Sequence, residues 1–384
     1  MSQIKWNYLL LSYLALFCLG LIDNTRGAFY PEFLRQMEFT ASEGSRLFSV
    51  VALSGFLMNF TTRYWLPHVG IVKAILTSLF FMFFGTILVS MMPFFMEYKH
   101  SLLIISGLCL GLGIGGSTIS MNLLVTKASP PQFMSRAFAG LHSTYGVSSL
   151  IAPLLFNFLF LLFGKWDLAY LSLSLLPLVI LSIYLTKNLP DIGEIPKTPL
   201  KAPVGLIQRL PFGLMLASYV VAEILVSTRL VYFLTENEKM PLTEANYLLA
   251  LFFLGLAFGR IAFSVLKIPG PLFVHLLISH ALTLLFFFLG LSNHYFLALT
   301  GLTMSWFFPT TMAWLQTHFK SGIEFMTASV LTLTGFLLLG MHDLFGRIVE
   351  MYDVKVAFLM GPLASAISLL LLIFIEVRRK IQSS

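Results

Sequence analysis

The chain has 384 residues, of which 58% are hydrophobic and only 11% are charged. No soluble domain of this length has that composition, so we expect an all-α polytopic membrane protein. The net charge of +7 does not indicate nucleic-acid binding, because the basic residues are scattered through short loops instead of forming a patch.

Apolar stretches of about 20 residues, separated by short polar loops, predict twelve transmembrane helices, here called segments 1 to 12. Segment 5 is long enough to be tilted or to contain a loop. The segments are placed at 7–34, 43–66, 73–93, 101–124, 133–163, 168–187, 210–235, 243–266, 271–291, 295–318, 323–347 and 354–376.

A polar, proline-rich stretch runs from Lys187 to Arg209 and is too short for a folded domain. It predicts a linker at 189–209 between a six-helix bundle at 1–188 and a second at 210–384. Lys and Arg residues outside the spans lie mainly at the ends that share a side with this linker and both termini. We therefore expect cytoplasmic termini, in a plasma membrane or a bacterial inner membrane.

The two halves resemble each other at a constant offset of 200 residues. Asp23 falls on Glu223, and Gly55 falls on Gly255. The same shift sets Phe33-Leu34 on Phe233-Leu234 and Asn59 on Gly259. A single offset across two helices predicts parallel repeats, the arrangement of the two halves of major facilitator transporters.

A glycine-rich run in segment 4 matches the G-x-G-x-x-G dinucleotide pattern, but it lies inside a span with no strand before it. The better interpretation is a small-residue face for close helix packing, formed by Gly107, Gly111 and Gly115. Cys18 and Cys109 lie in apolar runs, so neither a disulfide framework nor a metal site is expected. With no nucleotide-binding loop or catalytic motif, we expect no cofactor and no enzymatic activity.

Segment 1 carries an acid and a base within an otherwise apolar stretch, Asp23 and Arg26. Their i, i+3 spacing places both on one helix face, within reach of each other. Charged groups are costly in hydrocarbon, so they indicate a functional pathway. The alternative is that the pair only neutralises itself inside a helix bundle.

Segments 5 and 7 carry further ionisable groups. Glu223 and Arg229 repeat the acid–base pattern, but their separation of six residues places them on nearly opposite sides of the helix. His142 in segment 5 belongs to the residue type that titrates near neutrality, which suits a proton relay. A role in hydrogen bonding to substrate or in packing is equally compatible with its position.

Segments 10 and 11 add an aromatic residue and a charged cluster. Trp306 suits stacking on a sugar ring or covering an apolar ligand, or else packing against neighbouring helices. The nearby Pro309 lies within the span and frees a backbone carbonyl, which a cavity can use. His342, Asp343 and Arg347 lie near one end of segment 11, where we expect an outer rim or gate.

Short motifs in segments 4, 5, 8 and 10 match a pattern of sugar transporters. They are Gly113-Ile114-Gly115 with Asn122-Leu123-Leu124-Val125-Thr126, Leu141-His142 with Gly146 and Ala152-Pro153, Gly259-Arg260, and Phe308-Pro309-Thr310. On these motifs the chain resembles the major facilitator superfamily, and within it the fucose permease-like branch. Of the superfamily's loop motif between the second and third helices, Arg63 and Gly70 remain, and Arg63 joins the expected gate.

The resemblance implies alternating access through a cavity lined by segments 1, 4, 5, 7, 10 and 11. It also implies a sugar-like substrate, bound by Asn24, Asn122, His142, Tyr145 and Trp306. This chain departs from the branch in its acids. Thr118 stands at the acidic position of segment 4, Gly27 at that of segment 1, and Asp23 replaces an amide.

We therefore predict a secondary active transporter of a small polar solute, coupled to protons through Asp23, Glu223 and His142. A guanidinium favours an ionised carboxylate and burial favours the neutral acid, so Arg26 could couple protonation to conformation. The expected partners are a solute, protons and the lipid bilayer, and we expect a monomer. The alternative substrate is an anionic metabolite or siderophore, clamped by Arg26 and Arg229 and imported or exported. A receptor or lipid flippase with the same fold is a third possibility that no residue demands.

Overall fold

The computed structural model describes residues 4–192, 206–266, 269–319 and 323–383, which contain helices and no β-strand. The chain divides into two compact units, unit 1 at residues 1–198 and unit 2 at residues 199–384. The division falls within the predicted linker, of which residues 193–205 lie outside the described residues.

In unit 1, residues 4–192 contain eight α-helices, which correspond to segments 1 to 6. Segments 2 and 6 are each divided in two, the first at Thr61 and the second at Ser174. Pro177 explains the second break, because its ring clashes with a helical carbonyl four residues back, at Leu173. The helices are α1 (Trp6–Met37), α2 (Ala41–Phe60), α3 (Thr62–Val69), α4 (Ile71–Met91), α5 (Lys99–Ala128), α6 (Met134–Phe163), α7 (Trp166–Leu173) and α8 (Leu175–Lys187).

In the described part of unit 2, eight α-helices correspond to segments 7 to 12. The continuous helices predicted for segments 10 and 12 are wrong, and both breaks lie about four residues before a proline, Pro309 or Pro362. Pro309 lies in the first turn of its helix, where its missing N–H costs little. The helices are α9 (Leu206–Glu236), α10 (Leu242–Val265), α11 (Leu272–Gly290), α12 (Tyr295–Met304), α13 (Phe307–His318), α14 (Ile323–Met351), α15 (Val354–Phe358) and α16 (Met360–Ser383).

The two units share a packing pattern. In unit 1, α1 packs on α6, and α5 packs on both α2 and α4. In unit 2, α9 packs on α14, and α12 packs on both α10 and α11. Aromatic contacts follow the same repeat, because Phe33 meets Trp166 on α7 and Phe233 meets Phe358 on α15. The offset of 200 residues therefore marks equivalent positions within two similar bundles.

Glycine allows the closest helix approaches in both units. A Cβ atom on Gly115 would lie 2.5 Å from the carbonyl oxygen of Gly55, and one on Gly301 would lie 2.0 Å from that of Phe252. These distances are too short for any side chain. The small-residue face predicted on segment 4 is confirmed, and unit 2 uses the same device between α10 and α12.

The first turn of α4 has a side-chain cap, whereas no described residue caps its counterpart, α11 of unit 2. The Asp191 carboxylate accepts hydrogen bonds from the backbone N–H groups of Ile71 at 3.0 Å and Val72 at 3.2 Å. Gly70 makes room for it with φ of 87°, since a Cβ there would lie 1.6 Å from an Asp191 oxygen. At the equivalent Gly270, φ is 119°, and the nearest described atom to such a Cβ is Nε2 of His275, at 3.5 Å.

The surface of both units is rich in large apolar side chains. Nine helical segments of the described residues are long and apolar enough to cross a membrane. Phe158, Leu161 and Phe288 are each more than 60% exposed, as expected for groups that face lipid. The all-helical fold with apolar spans is that of a polytopic membrane protein.

Candidate functional site

In unit 1 the predicted charged pair exists as an ion pair within one helix. Asp23 and Arg26 lie near the middle of α1, and their side chains form a salt bridge. The guanidinium also lies over the ring of Phe48, with 5.0 Å between Cζ and the ring centroid. The side chain of Arg26 is 6% exposed and that of Asp23 is 25% exposed. A solute or proton would therefore reach the carboxylate and not the guanidinium.

Neighbouring helices fix the orientation of this part of α1. The Asn24 amide donates to the carbonyl of Gly20 and to the hydroxyl of Ser149 on α6, both at 2.9 Å. The hydroxyl of Tyr170 on α7 donates to the carbonyl of Ile22 at 3.3 Å. Asn24, predicted to bind substrate, is buried in the interface between α1 and α6.

In unit 2 the equivalent acid has a partner on a different helix. Glu223 lies near the middle of α9, 3.3 Å from Nη2 of Arg260 on α10. The side chains are 18% and 39% exposed, respectively. Arg260 belongs to the Gly259-Arg260 motif, and its pairing with Glu223 was not predicted from the sequence. Two features of the sequence could have predicted this pair. An acid within a span needs a nearby cation, and Arg260 itself lies within segment 8.

Arg229 does not pair with Glu223, as its separation of six residues indicated. The side chain of Arg229 is completely buried, with Nη2 3.5 Å from Nδ1 of His342. Its Cζ lies 5.0 Å from the ring centroid of Phe345. Arg229, the base predicted to accompany Glu223 in segment 7, is thus enclosed between α9 and α14.

The predicted rim of segment 11 divides into two parts. His342 is 4% exposed and lies beside Arg229, so the structure places it in the interior of unit 2 instead of at a rim. Asp343 and Arg347 form a 2.8 Å ion pair with side chains 44% and 64% exposed. On α3 of unit 1, Arg63 is exposed and donates to the hydroxyl of Tyr64 at 2.6 Å.

The remaining predicted binding residues lie on α5, α6 and at the start of α13. His142 is exposed on α6, and Tyr145 is partly buried one turn later. The Asn122 amide donates to the carbonyl of Thr118 in its own helix at 2.7 Å. Trp306 donates through Nε1 to the carbonyl of His275 at 3.2 Å. The indole N–H is therefore used to join α11 to the break between α12 and α13.

A buried hydroxyl network one turn before Glu223 was missed by the sequence analysis. The Tyr219 hydroxyl lies 2.7 Å from Oγ of Ser279 and 3.0 Å from Oγ1 of Thr283. Thr283 in turn bonds to Thr303 on α12 at 2.8 Å. These bonds fix α9 against α11 and α12, and so fix the position of Glu223. Scattered Ser and Thr residues gave no sequence signal for it.

In the described part of the chain, no group of three or more His, Cys, Asp or Glu side chains lies close enough to hold a metal ion. Both cysteines are free and buried. The charged groups are instead arranged as acid–base pairs on equivalent helices, an arrangement found in transporter cores.

Residues 12–336 match the family model described as Major Facilitator Superfamily. The chain belongs to that superfamily. The match indicates a transporter.

Solved structures of other transporters have a similar fold. A POT family transporter in complex with a thioalcohol conjugated peptide is 14% identical, with a TM-score of 0.74 over 95% of each chain. A D-xylose-proton symporter is 11% identical, with a TM-score of 0.74 over 96% of this chain and 97% of the other. A bacterial homologue of the human lysosomal transporter Spinster is 13% identical, with a TM-score of 0.64 over 98% and 96%.

At these identities the likenesses establish the fold alone. The same fold occurs in transporters with different solutes. One of these structures is a complex with a peptide conjugate, and another is that of a D-xylose-proton symporter. The solute class of this superfamily member therefore has to be argued from its own residues.

Proposed function

We propose that the protein is a proton-coupled secondary active transporter of a small polar solute, working by alternating access. Asp23 and Glu223 are the proton carriers in this proposal. The observation that carries it is their equivalence. Each acid lies near the middle of the first helix of its unit, partly accessible, and paired with an arginine.

A carboxylate in this setting has two competing influences. The arginine stabilises the ionised form, and removal from water stabilises the neutral acid. Any movement that changes the distance to the arginine, or the access of water, changes the affinity for a proton. Proton binding and conformational change are coupled through that dependence. His142, exposed on α6 of unit 1, is the third proposed member of the proton pathway.

We propose a neutral, sugar-like solute as the cargo. Taken as whole residues, Arg26 and Arg229 are 5% and 0% exposed, so neither guanidinium presents a free edge to an anion in this structure. Asn122, Tyr145 and His142 supply amide, hydroxyl and imidazole groups that hydrogen-bond well to a polyol. Motifs in segments 4, 5, 8 and 10 support assignment to the fucose permease-like branch.

An anionic solute is the second candidate, and one observation favours it. The side chain of Arg260 is 39% exposed, and its one polar contact among the described residues is that to Glu223, at 3.3 Å. Protonation of Glu223 would free that guanidinium to bind a carboxylate or a phosphate. An anion clamp in this chain would therefore involve Arg260 before Arg26 or Arg229.

The first experiment is a thermal-shift screen of the purified protein against sugars, organic acids and siderophores at two pH values. A ligand that binds only the folded protein raises its melting temperature by mass action. We expect neutral sugars to stabilise the wild type. Stabilisation by anions alone, lost in Arg260→Gln, would replace the sugar proposal with the anion proposal.

The second experiment tests proton coupling with the solute that the screen identifies. Proteoliposomes containing a pH-sensitive dye are given an inward solute gradient, and we expect solute-dependent acidification of the interior. Uptake of labelled solute without any change in internal pH would contradict the coupling.

We also propose cytoplasmic termini and a monomer in a plasma or bacterial inner membrane. The distribution of Lys and Arg at the ends of the spans supports this orientation. Protease protection of a tag on each terminus, in sealed vesicles of known orientation, tests it directly.

A further inference from the structure

Unit 2 contains an apolar cavity of about 130 Å³ at one end of its helices. It lies where α9 and α11 approach their last residues and where α12 and α15 begin. None of the residues assigned to solute or proton binding lines it. The lining consists of Phe233, Phe287, Phe288, Leu291, Leu297, Lys355, Phe358, Leu359 and Pro362.

The floor and the rim of this cavity differ in exposure. Phe287, Leu297 and Phe358 form the floor and are 4% exposed or less. Phe288, Leu291 and Leu359 form the rim and are 71%, 48% and 44% exposed. The cavity therefore opens onto the apolar surface of the unit, where acyl chains are the neighbouring material in a membrane.

Of the described residues that line the cavity, Lys355 alone is charged, and it lies at the start of α15. Among the described residues, no carboxylate lies within ion-pair distance of its amine. The nearest acid in sequence, Asp353, accepts a hydrogen bond from the backbone N–H of Val356 at 2.7 Å and so caps α15. Helix ends lie at headgroup level in a bilayer, where a lysine can extend to a lipid phosphate.

We propose that this cavity is a binding site for an anionic phospholipid. One acyl chain enters between Phe288, Leu291 and Leu359, and the lipid phosphate pairs with Lys355. An apolar crevice alone would accept any acyl chain. The single unpaired ammonium at its mouth adds a preference for a net negative headgroup, of about fivefold for one lysine.

The test measures which lipids the purified full-length protein retains. Detergent-solubilised protein is incubated with equal amounts of phosphatidylglycerol and phosphatidylcholine of the same acyl chains, and bound lipid is counted by native mass spectrometry. We expect at least one phosphatidylglycerol to be retained in preference to phosphatidylcholine. Equal retention of both lipids by the wild type would overturn the proposal.

Two variants separate the headgroup from the acyl chain. Lys355→Gln should lose the preference while keeping lipid bound, and Leu359→Trp should lose the tightly held lipid by filling the rim. Lys239→Gln and Leu363→Trp are the matched controls, since both residues are exposed in the same unit and neither lines the cavity. The controls should behave like the wild type.

Three outcomes contradict the assignment. Unchanged retention in Leu359→Trp would show that the lipid binds elsewhere. An equal loss of preference in Lys239→Gln would show that surface charge in general is responsible. A change from dimer to monomer caused by Leu359→Trp would assign the cavity to contact with a second copy of the chain.

Discussion

The two units build their acid–base pairs differently. In unit 1, Asp23 and Arg26 are three residues apart on α1, and the arginine is enclosed. In unit 2, Glu223 on α9 reaches Arg260 on α10, and the arginine is the more exposed partner. Arg229, which lies on the same helix as Glu223, is buried beside His342.

This difference determines which pair a movement of helices can break. A pair within one helix moves with that helix as a rigid element, so its geometry persists when α1 shifts. A pair between helices depends on the packing of α9 against α10, and a shift of about 2 Å is enough to separate the two charges. We infer that the Glu223–Arg260 contact is the one that responds to conformational change.

The largest expected effect is on the stability of unit 1. Arg26→Gln leaves Asp23 without its buried partner and should lower the free energy of unfolding by about 3–5 kcal/mol. Arg260→Gln removes a cation that is partly solvated, and should cost about 0–1 kcal/mol. Denaturant unfolding in detergent, followed by tryptophan fluorescence, compares the two variants.

A double variant shows whether the cost in unit 1 arises from the uncompensated charge. Adding Asp23→Asn to Arg26→Gln should restore a large part of the lost stability, because no ionised carboxylate then remains. If the double variant is no more stable than Arg26→Gln, loss of packing explains the cost, and the contrast between the units fails.

The two units should lose similar stability when a glycine at a helix contact is replaced. Gly115→Ala and Gly301→Ala each place a methyl group against a backbone carbonyl, so each should cost about 1–3 kcal/mol. Gly340→Ala is the control, since no atom of the described residues lies within 4 Å of its Cβ position on α14. A loss in Gly340→Ala as large as in the other two would show that helix contact is not the cause.

Substitution of the glycine at the cap of α4 should cost more stability than substitution of its equivalent in unit 2. Gly70→Ala introduces strain at a positive φ and displaces the Asp191 carboxylate, so we expect a loss of about 1–3 kcal/mol. Gly270→Ala carries the strain alone and should cost less. In an Asp191→Asn background, the stabilities of Gly70→Ala and Gly270→Ala should differ less. If both glycine substitutions lower the free energy of unfolding equally in the wild-type background, the cap does not explain the cost at Gly70.

The smallest effects are expected at the exposed ion pairs. Arg347→Gln in unit 2 and Arg35→Gln in unit 1 each break a pair whose arginine side chain is 64% or 77% exposed. Each should change the free energy of unfolding by less than about 1 kcal/mol. A larger loss for Arg347→Gln, together with changed transport, would support the proposed gate at that end of α14.

Local sequence patterns predicted much of the fold and only part of the site. Hydrophobic spacing placed the segments, and Pro177, Pro309 and Pro362 contain the information for three helix breaks that the predicted continuous spans ignored. The i, i+3 rule was sufficient for Asp23 and Arg26, because both partners lie on one helix. The pairing of Glu223 with Arg260 depends on how α9 packs on α10, which spacing along the chain does not encode. The same is true of Arg229 with His342.

Proton coupling through Asp23 and Glu223 is the central claim, and proteoliposomes test it most directly. Asp23→Asn and Glu223→Gln should each retain exchange of labelled for unlabelled solute, which needs no net proton movement, and should each lose accumulation driven by a pH gradient. Glu32→Gln is the matched control, since that carboxylate lies on α1, is 21% exposed and pairs with Arg35 near the helix end. Accumulation at the wild-type level in both the Asp23 and Glu223 variants would contradict the account.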